Sequence, residues 1–130
     1  TKEGFIMEQN TLLAQGEYRF AALVWRNEPI ASGRLAALAA SELGWKKSTS
    51  YTVLKKLCDR GILRNEGGTV TALVKQEQVQ QNESAAVVER TFDGSLPRFV
   101  AAFLNTKPIS KEEAAAIRKL LDEAEAGKEE

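Results

Sequence analysis

The sequence predicts a mostly α-helical protein with one small β-hairpin: three helices, the hairpin, then three further helices. Three observations lead there. Apolar residues recur at three- and four-residue spacing in six segments. Two short runs of β-forming residues flank Gly67-Gly68. The segments are bounded by residues that start or stop local structure, namely Pro29, Gly44, Gly61, Asp93-Gly94 and Pro108.

Residues 1–12 read as a loose leader, in which Met7 is a candidate natural start. From residue 16 to 27, Tyr18, Ala21, Ala22 and Trp25 recur at helical spacing, joined by Phe20, Leu23 and Val24. Glu28-Pro29 ends this helix, because proline cannot continue the hydrogen-bond ladder and restricts the residue before it. Ser32 is the expected cap of a second helix through Leu35, Leu38, Ala39 and Glu42, which stops at Gly44. A third helix over 46–60 carries Tyr51, Leu54, Leu57 and Cys58 as one apolar stripe, with Lys47, Thr49, Ser50, Lys55 and Lys56 largely off it. Gly61 is suited to the left-handed conformation that ends a helix. Residues 62–64 and 69–75 then read as hairpin strands around a Gly-Gly turn.

Beyond the hairpin, residues 76–91 form a polar helix with Val79, Ala86, Val87 and nearby Phe92 on its apolar side. Ser95 or Leu96 opens a short helix through Phe99, Val100, Phe103 and Leu104, with Pro97 tolerated in its first turn. The last helix starts at Ser110, whose spacing to Glu113 makes a capping box, and is expected to bury Ile117, Leu120, Leu121 and Ala124.

Composition narrows the function. The 130 residues include no histidine, so a Ser-His-Asp or Cys-His catalytic unit is excluded and zinc loses its commonest nitrogen ligand. One cysteine leaves no intrachain disulfide and no Cys-rich metal cluster, which fits a reducing compartment. No phosphate-binding loop follows Gly67-Gly68, and no nucleophile–base pair stands out, so no enzymatic activity and no cofactor are expected. With no apolar run near the ~20 residues that span a bilayer, a cytoplasmic protein is expected.

The net charge is zero, yet it is divided. Residues 1–75 carry 11 basic and 7 acidic side chains, and residues 76–130 carry 7 and 11. Within 44–64, Lys46, Lys47, Lys55, Lys56, Arg60 and Arg64 face only Asp59. A local basic surface is what phosphate binding requires. Three helices and a hairpin, with the positive charge on the third helix, form the order of a winged helix-turn-helix, whose third helix enters the major groove. On this reading Lys46, Lys47, Ser48, Thr49, Ser50, Tyr51, Thr52, Lys55 and Lys56 face DNA, and the hairpin at 65–69, including Thr69, flanks them. Trp45 reads as a packing anchor between helices. The other reading of the same pattern is a winged-helix protein-interaction module that docks an acidic partner.

The residues narrow this further. Glu17-Tyr18, Leu23-Val24-Trp25, Glu28-Pro29-Ile30, Leu43-Gly44-Trp45, Ser48-Thr49-Ser50-Tyr51-Thr52-Val53-Leu54 and Arg60-Gly61-Ile62-Leu63 closely resemble the penicillinase-repressor family. The tail is similar too, through Gly94-Ser95-Leu96 and the stretch from Ile109 to Glu123, so the resemblance covers nearly all of 13–125. It implies a homodimeric winged-helix transcriptional repressor on a near-palindromic double-stranded DNA operator, often with TACA/TGTA-type half-sites. Residues 13–75 would be the DNA-binding domain, 76–126 the helical dimerisation region and 127–130 a tail. The implied dimer interface comprises Leu96, Phe99, Val100, Phe103, Leu104, Ile117, Leu120 and Leu121. Family members are typically inactivated when a membrane sensor-transducer triggers proteolysis in the C-terminal helices, and that bond maps to Ala102–Phe103. There are departures. Lys46 replaces a serine suited to capping the third helix, Thr69 replaces a wing arginine, and Ala102 replaces the asparagine of the cleaved bond. The Cys-rich motif of the family's copper-responsive branch is missing, so no metal is expected.

Overall fold

A computed structural model describes residues 12–129; the leader, apart from Leu12, and the candidate start at Met7 lie outside them. The described elements are α1 (Gln15–Asn27), β1 (Ile30–Ala31), α2 (Ser32–Leu43), α3 (Lys47–Asp59), β2 (Leu63–Glu66), β3 (Thr69–Ala72), α4 (Gln76–Phe92), α5 (Leu96–Leu104) and α6 (Lys111–Glu129). The predicted class holds: a mostly helical chain with a winged helix-turn-helix order. The chain divides into two compact units, Thr1–Ala86 and Val87–Glu130. No described helix is long and apolar enough to cross a membrane.

In the first unit, α1, α2, α3 and the sheet close around Phe20, Ala21, Leu23, Val24, Leu35, Ala39, Leu54, Leu57, Ile62, Leu63 and Val70. Burying a side chain of the Leu, Val or Phe kind contributes about 1.5–3 kcal/mol, so this cluster holds the three helices in fixed relation. Val79 buries itself from the first turns of α4. Trp25 donates its indole N–H to the Val74 carbonyl at 2.9 Å, and the Tyr18 hydroxyl accepts from Gln76 at 3.0 Å and Gln80 at 3.2 Å.

Two local expectations are corrected here. Ser32 does not cap α2: it is the first helical residue, Ala31 occupies the cap position, and no side chain caps this end. The Ser32 N–H donates instead to the Gly68 carbonyl at 2.8 Å, tying the start of α2 to the hairpin turn. That bond accompanies a strand the sequence reading missed. β1 pairs antiparallel with β3, Ile30 opposite Val70 and Ala31 opposite Thr69, so the hairpin belongs to a three-stranded sheet of order β1-β3-β2. The hairpin turn is the expected one. Gly67 and Gly68 both have positive φ, as a two-residue turn between right-twisted strands demands, and Asn65 Oδ1 accepts from the Gly68 N–H.

The end of α3 is set locally. Ile62 N–H donates to the Leu57 carbonyl and Gly61 N–H to that of Cys58, with Gly61 at φ +77°, the Schellman arrangement that only glycine adopts without strain.

In the second unit, Ser95 Oγ accepts from the Arg98 N–H to cap α5, and Pro97 sits in its first turn. Phe92 meets Phe99 edge-on at 5.5 Å between ring centres. Ser110 and Glu113 form the predicted capping box, with Ser110 Oγ accepting from Glu113 N–H and Glu113 Oε1 from Ser110 N–H. α6 continues to Glu129, taking in most of the residues read as a tail. Ile117, Leu120, Leu121 and Ala124 were expected to be buried by this helix; in the single chain they are exposed, as are Leu96, Val100, Phe103 and Leu104 on α5. Phe99 is partly covered.

Candidate nucleic-acid interface

The surface presented by α3 follows from which of its positions the core takes. Ser50, Leu54 and Leu57 are buried, and Val53 and Cys58 are partly so. One turn after another, this leaves Ser48, Thr52, Lys55 and Asp59 along the middle of the open side, with Tyr51 on one flank and Thr49 and Lys56 on the other. Lys46 and Lys47 stand exposed at its N-terminus.

Ser50 is a correction to the expected reading face. Only 1% exposed, it occupies the buried side of α3, and its hydroxyl has no hydrogen-bond partner among the described residues. It cannot reach a base edge from there. Tyr51, placed on the apolar stripe by the sequence pattern, is instead 38% exposed. The helical phase is therefore rotated towards Ser50. Because the unpartnered hydroxyl already costs desolvation, Ser50→Ala is expected to raise unfolding stability by about 1 kcal/mol, with DNA binding unchanged. Urea titration together with a gel-shift assay checks both halves of that expectation.

α3 begins without a side-chain cap, since its cap residue is Lys46. Packing anchors it instead. Trp45, immediately before the helix, stacks on Phe20 of α1 with ring centres 5.4 Å apart and planes 6° from parallel. The packing role read for Trp45 is the observed one.

Electrostatics distinguish the basic residues from one another. Lys55 pairs with Asp59 at 3.0 Å along the exposed side of the helix, an i, i+4 pair worth about 0.3–0.5 kcal/mol. Lys56 and Arg60 both pair with Glu17 of α1, at 2.8 and 3.2 Å. Arg60 also donates to the Leu12 carbonyl at 2.6 Å. On the hairpin, Arg64 pairs with Glu66. Lys46 and Lys47 have no ion pair among the described residues, so the N-terminal end of α3 holds its least compensated positive charge. Thr69 is exposed at the start of β3, opposite Glu66 in register.

Glu17 enters the sequence reading only as part of the family resemblance, with no role assigned to it. It lies only 9% exposed, and its Oε1 also accepts the Ala14 N–H at 2.8 Å. Burial pushes its carboxyl pKa up, but the Lys56 ammonium, the Ala14 amide and Arg60 outweigh that and hold it below the ordinary value. A signal was present in the sequence. Glu17 shares a helical stripe with Phe20, Ala21 and Val24, and a carboxylate on an apolar stripe needs a cationic partner.

The structure thus places Lys46, Lys47, Ser48, Thr49, Tyr51, Thr52, Lys55 and Lys56 at the surface of one helix and its N-terminal edge, and Thr69 on the hairpin beside the start of α2. Comparison with curated proteins finds no match. Among solved structures the chain is similar to the crystal structure of a MarR family protein from Mycobacterium tuberculosis, at 16% identity and a TM-score of 0.41, over 95% of this chain and 88% of that one. Residues 13–123 match the penicillinase repressor family, and with most of its length covered by that match the chain belongs to this family of transcriptional regulators.

Proposed function

We propose that the protein is a cytoplasmic, homodimeric repressor without enzymatic activity that binds a near-palindromic operator through α3. The observation that carries this reading is the open side of α3. Short polar side chains at Ser48, Thr49 and Thr52 stand beside Lys46 and Lys47, while the opposite side of the helix is sealed in the core. Short hydroxyls at the start of such a helix are suited to base edges, and uncompensated lysines to phosphates. Tyr51, exposed on one flank of α3, would give its hydroxyl to a phosphate at the edge of the groove. The hairpin adds shape more than charge, because Thr69 stands where the family's wing carries an arginine.

The second unit supports the dimer. Among the described residues, Leu96, Val100, Phe103 and Leu104 on α5 and Ile117, Leu120 and Leu121 on α6 stand exposed, and a second copy is the partner the family supplies. Release of the operator would follow cleavage in these helices, triggered by a membrane sensor-transducer. The Ala102–Phe103 bond lies within α5, so a protease must first unwind that turn.

Operator titration on the DNA upstream of the chain's own gene, at several salt concentrations, tests the reading. Binding should be sequence-selective and fall steeply with salt. Lys47→Ala should flatten the salt slope by about one unit per winged-helix unit on all sequences. Thr49→Ala should instead cost about 1–3 kcal/mol at one operator position. If both variants titrate like the parent, α3 is not the reading helix. Retardation that is absent, or indifferent to sequence, would favour the protein-interaction module.

A further inference from the structure

We propose that Glu17 withholds Lys56 from the DNA phosphates, so that an acidic group built into α1 limits how strongly, and with what salt dependence, the protein binds nucleic acid. The inference rests on α3 being the reading helix.

Lys56 stands where a phosphate-binding lysine belongs. It follows Thr49 and Thr52 by seven and four residues, on the flank of the exposed side, and its side chain is largely open to solvent. Its ammonium, however, is turned to α1, 2.8 Å from Glu17 Oε2. Glu17 is the less mobile partner. Its carboxylate is almost enclosed, fixed through Oε1 by the Ala14 N–H and by Arg60, which is itself held by the Leu12 carbonyl. To reach a phosphate, Lys56 would have to leave a nearly buried carboxylate short of one of its two cations, in surroundings where an uncompensated charge is costly. A phosphate at the solvent-exposed surface offers a screened attraction in return. The buried site therefore wins the competition. The same contacts favour the ionised carboxylate, because the Lys56 ammonium, the Ala14 amide and Arg60 hold the Glu17 pKa below its ordinary value against the effect of burial. Lys55 differs in this respect. Its partner Asp59 is exposed, and a phosphate can displace it at little cost.

The dependence of operator affinity on salt separates this from a merely structural role, because the slope counts cations placed on phosphates. Lys56→Gln should leave the slope of log K against log salt unchanged. Glu17→Gln keeps an acceptor for the Ala14 N–H but frees the lysine, and should steepen the slope by about 0.9 per winged-helix unit. The double variant should return to the parental slope. A flatter slope in Lys56→Gln, of the size expected for Lys47→Ala, would overturn the proposal. So would a Glu17→Gln protein with an intact circular dichroism spectrum and no steepening. If Glu17→Gln does not fold, Lys56→Gln alone decides. Failure of the parent protein to bind DNA in a salt-sensitive way would count against α3 as the reading helix, not against the Glu17–Lys56 pair.

Discussion

Glutamate at both Leu120 and Leu121 is expected to leave the chain folded but monomeric, and to weaken binding to a full operator by about 10²–10⁴-fold. Both leucines are more than half exposed in the single chain, at 64% and 53%, so the substitutions remove no support from either compact unit. Surface replacements of this kind shift stability by about 0.5 kcal/mol or less. Their cost falls on association. Together with Ile117 they form an i, i+3, i+4 stripe on α6, and four like charges brought into a two-fold interface would be desolvated and repel. Once dimerisation is lost, the second half-site is no longer engaged intramolecularly, and the gain from linked binding disappears. Sedimentation equilibrium reads the first effect, and titration of full operator against isolated half-site reads the second. The variant should bind both DNAs alike, at the parent's half-site affinity. A variant that stays dimeric, or a monomer that still prefers the full operator, would move the interface away from α6.

What was legible in the sequence was chemistry confined to a few residues. The Gly67-Gly68 turn, the stop at Gly61 and the Ser110–Glu113 box each need only a short stretch of chain, and each is formed as read; of the two starts open for the short helix, Ser95 is the cap and Leu96 the first helical residue. What escaped depended on distant partners. Ile30-Ala31 has no strand signature of its own and is extended because β3 offers an edge. Ser32 lost its capping role to the Gly68 carbonyl of that same edge. The phase of α3 was misjudged for a different reason. Tyrosine and serine are both ambiguous on an apolar stripe, since a tyrosine ring can lie at its margin with the hydroxyl in water and a serine is small enough to be enclosed. The basic run of 44–64 was visible, but its neutralisation was not, because Glu17 meets Lys56 and Arg60 only after α1 and α3 have packed.

Phe20→Ala is expected to destabilise the protein by about 3–5 kcal/mol, a large share of the 5–15 kcal/mol that typically holds a domain together. Phe20 is fully buried at the centre of the first unit, and removing its ring leaves a cavity between α1 and the approach to α3. The loss extends beyond volume. Its ring lies parallel to Trp45, and an aromatic pair adds about 0.5–1.5 kcal/mol beyond its buried area. Trp45 in turn carries the first turn of α3, which has no side-chain cap to hold it. Freed of its stacking partner, the indole should become more mobile and more hydrated, and the N-terminal residues of α3 should lose their fixed aim. Urea unfolding gives the stability change, and a red shift in tryptophan emission under native conditions reports the loosened ring. Operator affinity should fall even where the variant remains fully folded, with base discrimination lost more than salt dependence, since phosphate attraction tolerates a wandering helix and base contacts do not. Phe20→Leu should retain most of the stability and much of the aim. An alanine variant that is as stable as the parent, or one that is destabilised yet reads the operator with undiminished selectivity once folded, would show that α3 takes its orientation from the Leu54 and Leu57 side alone.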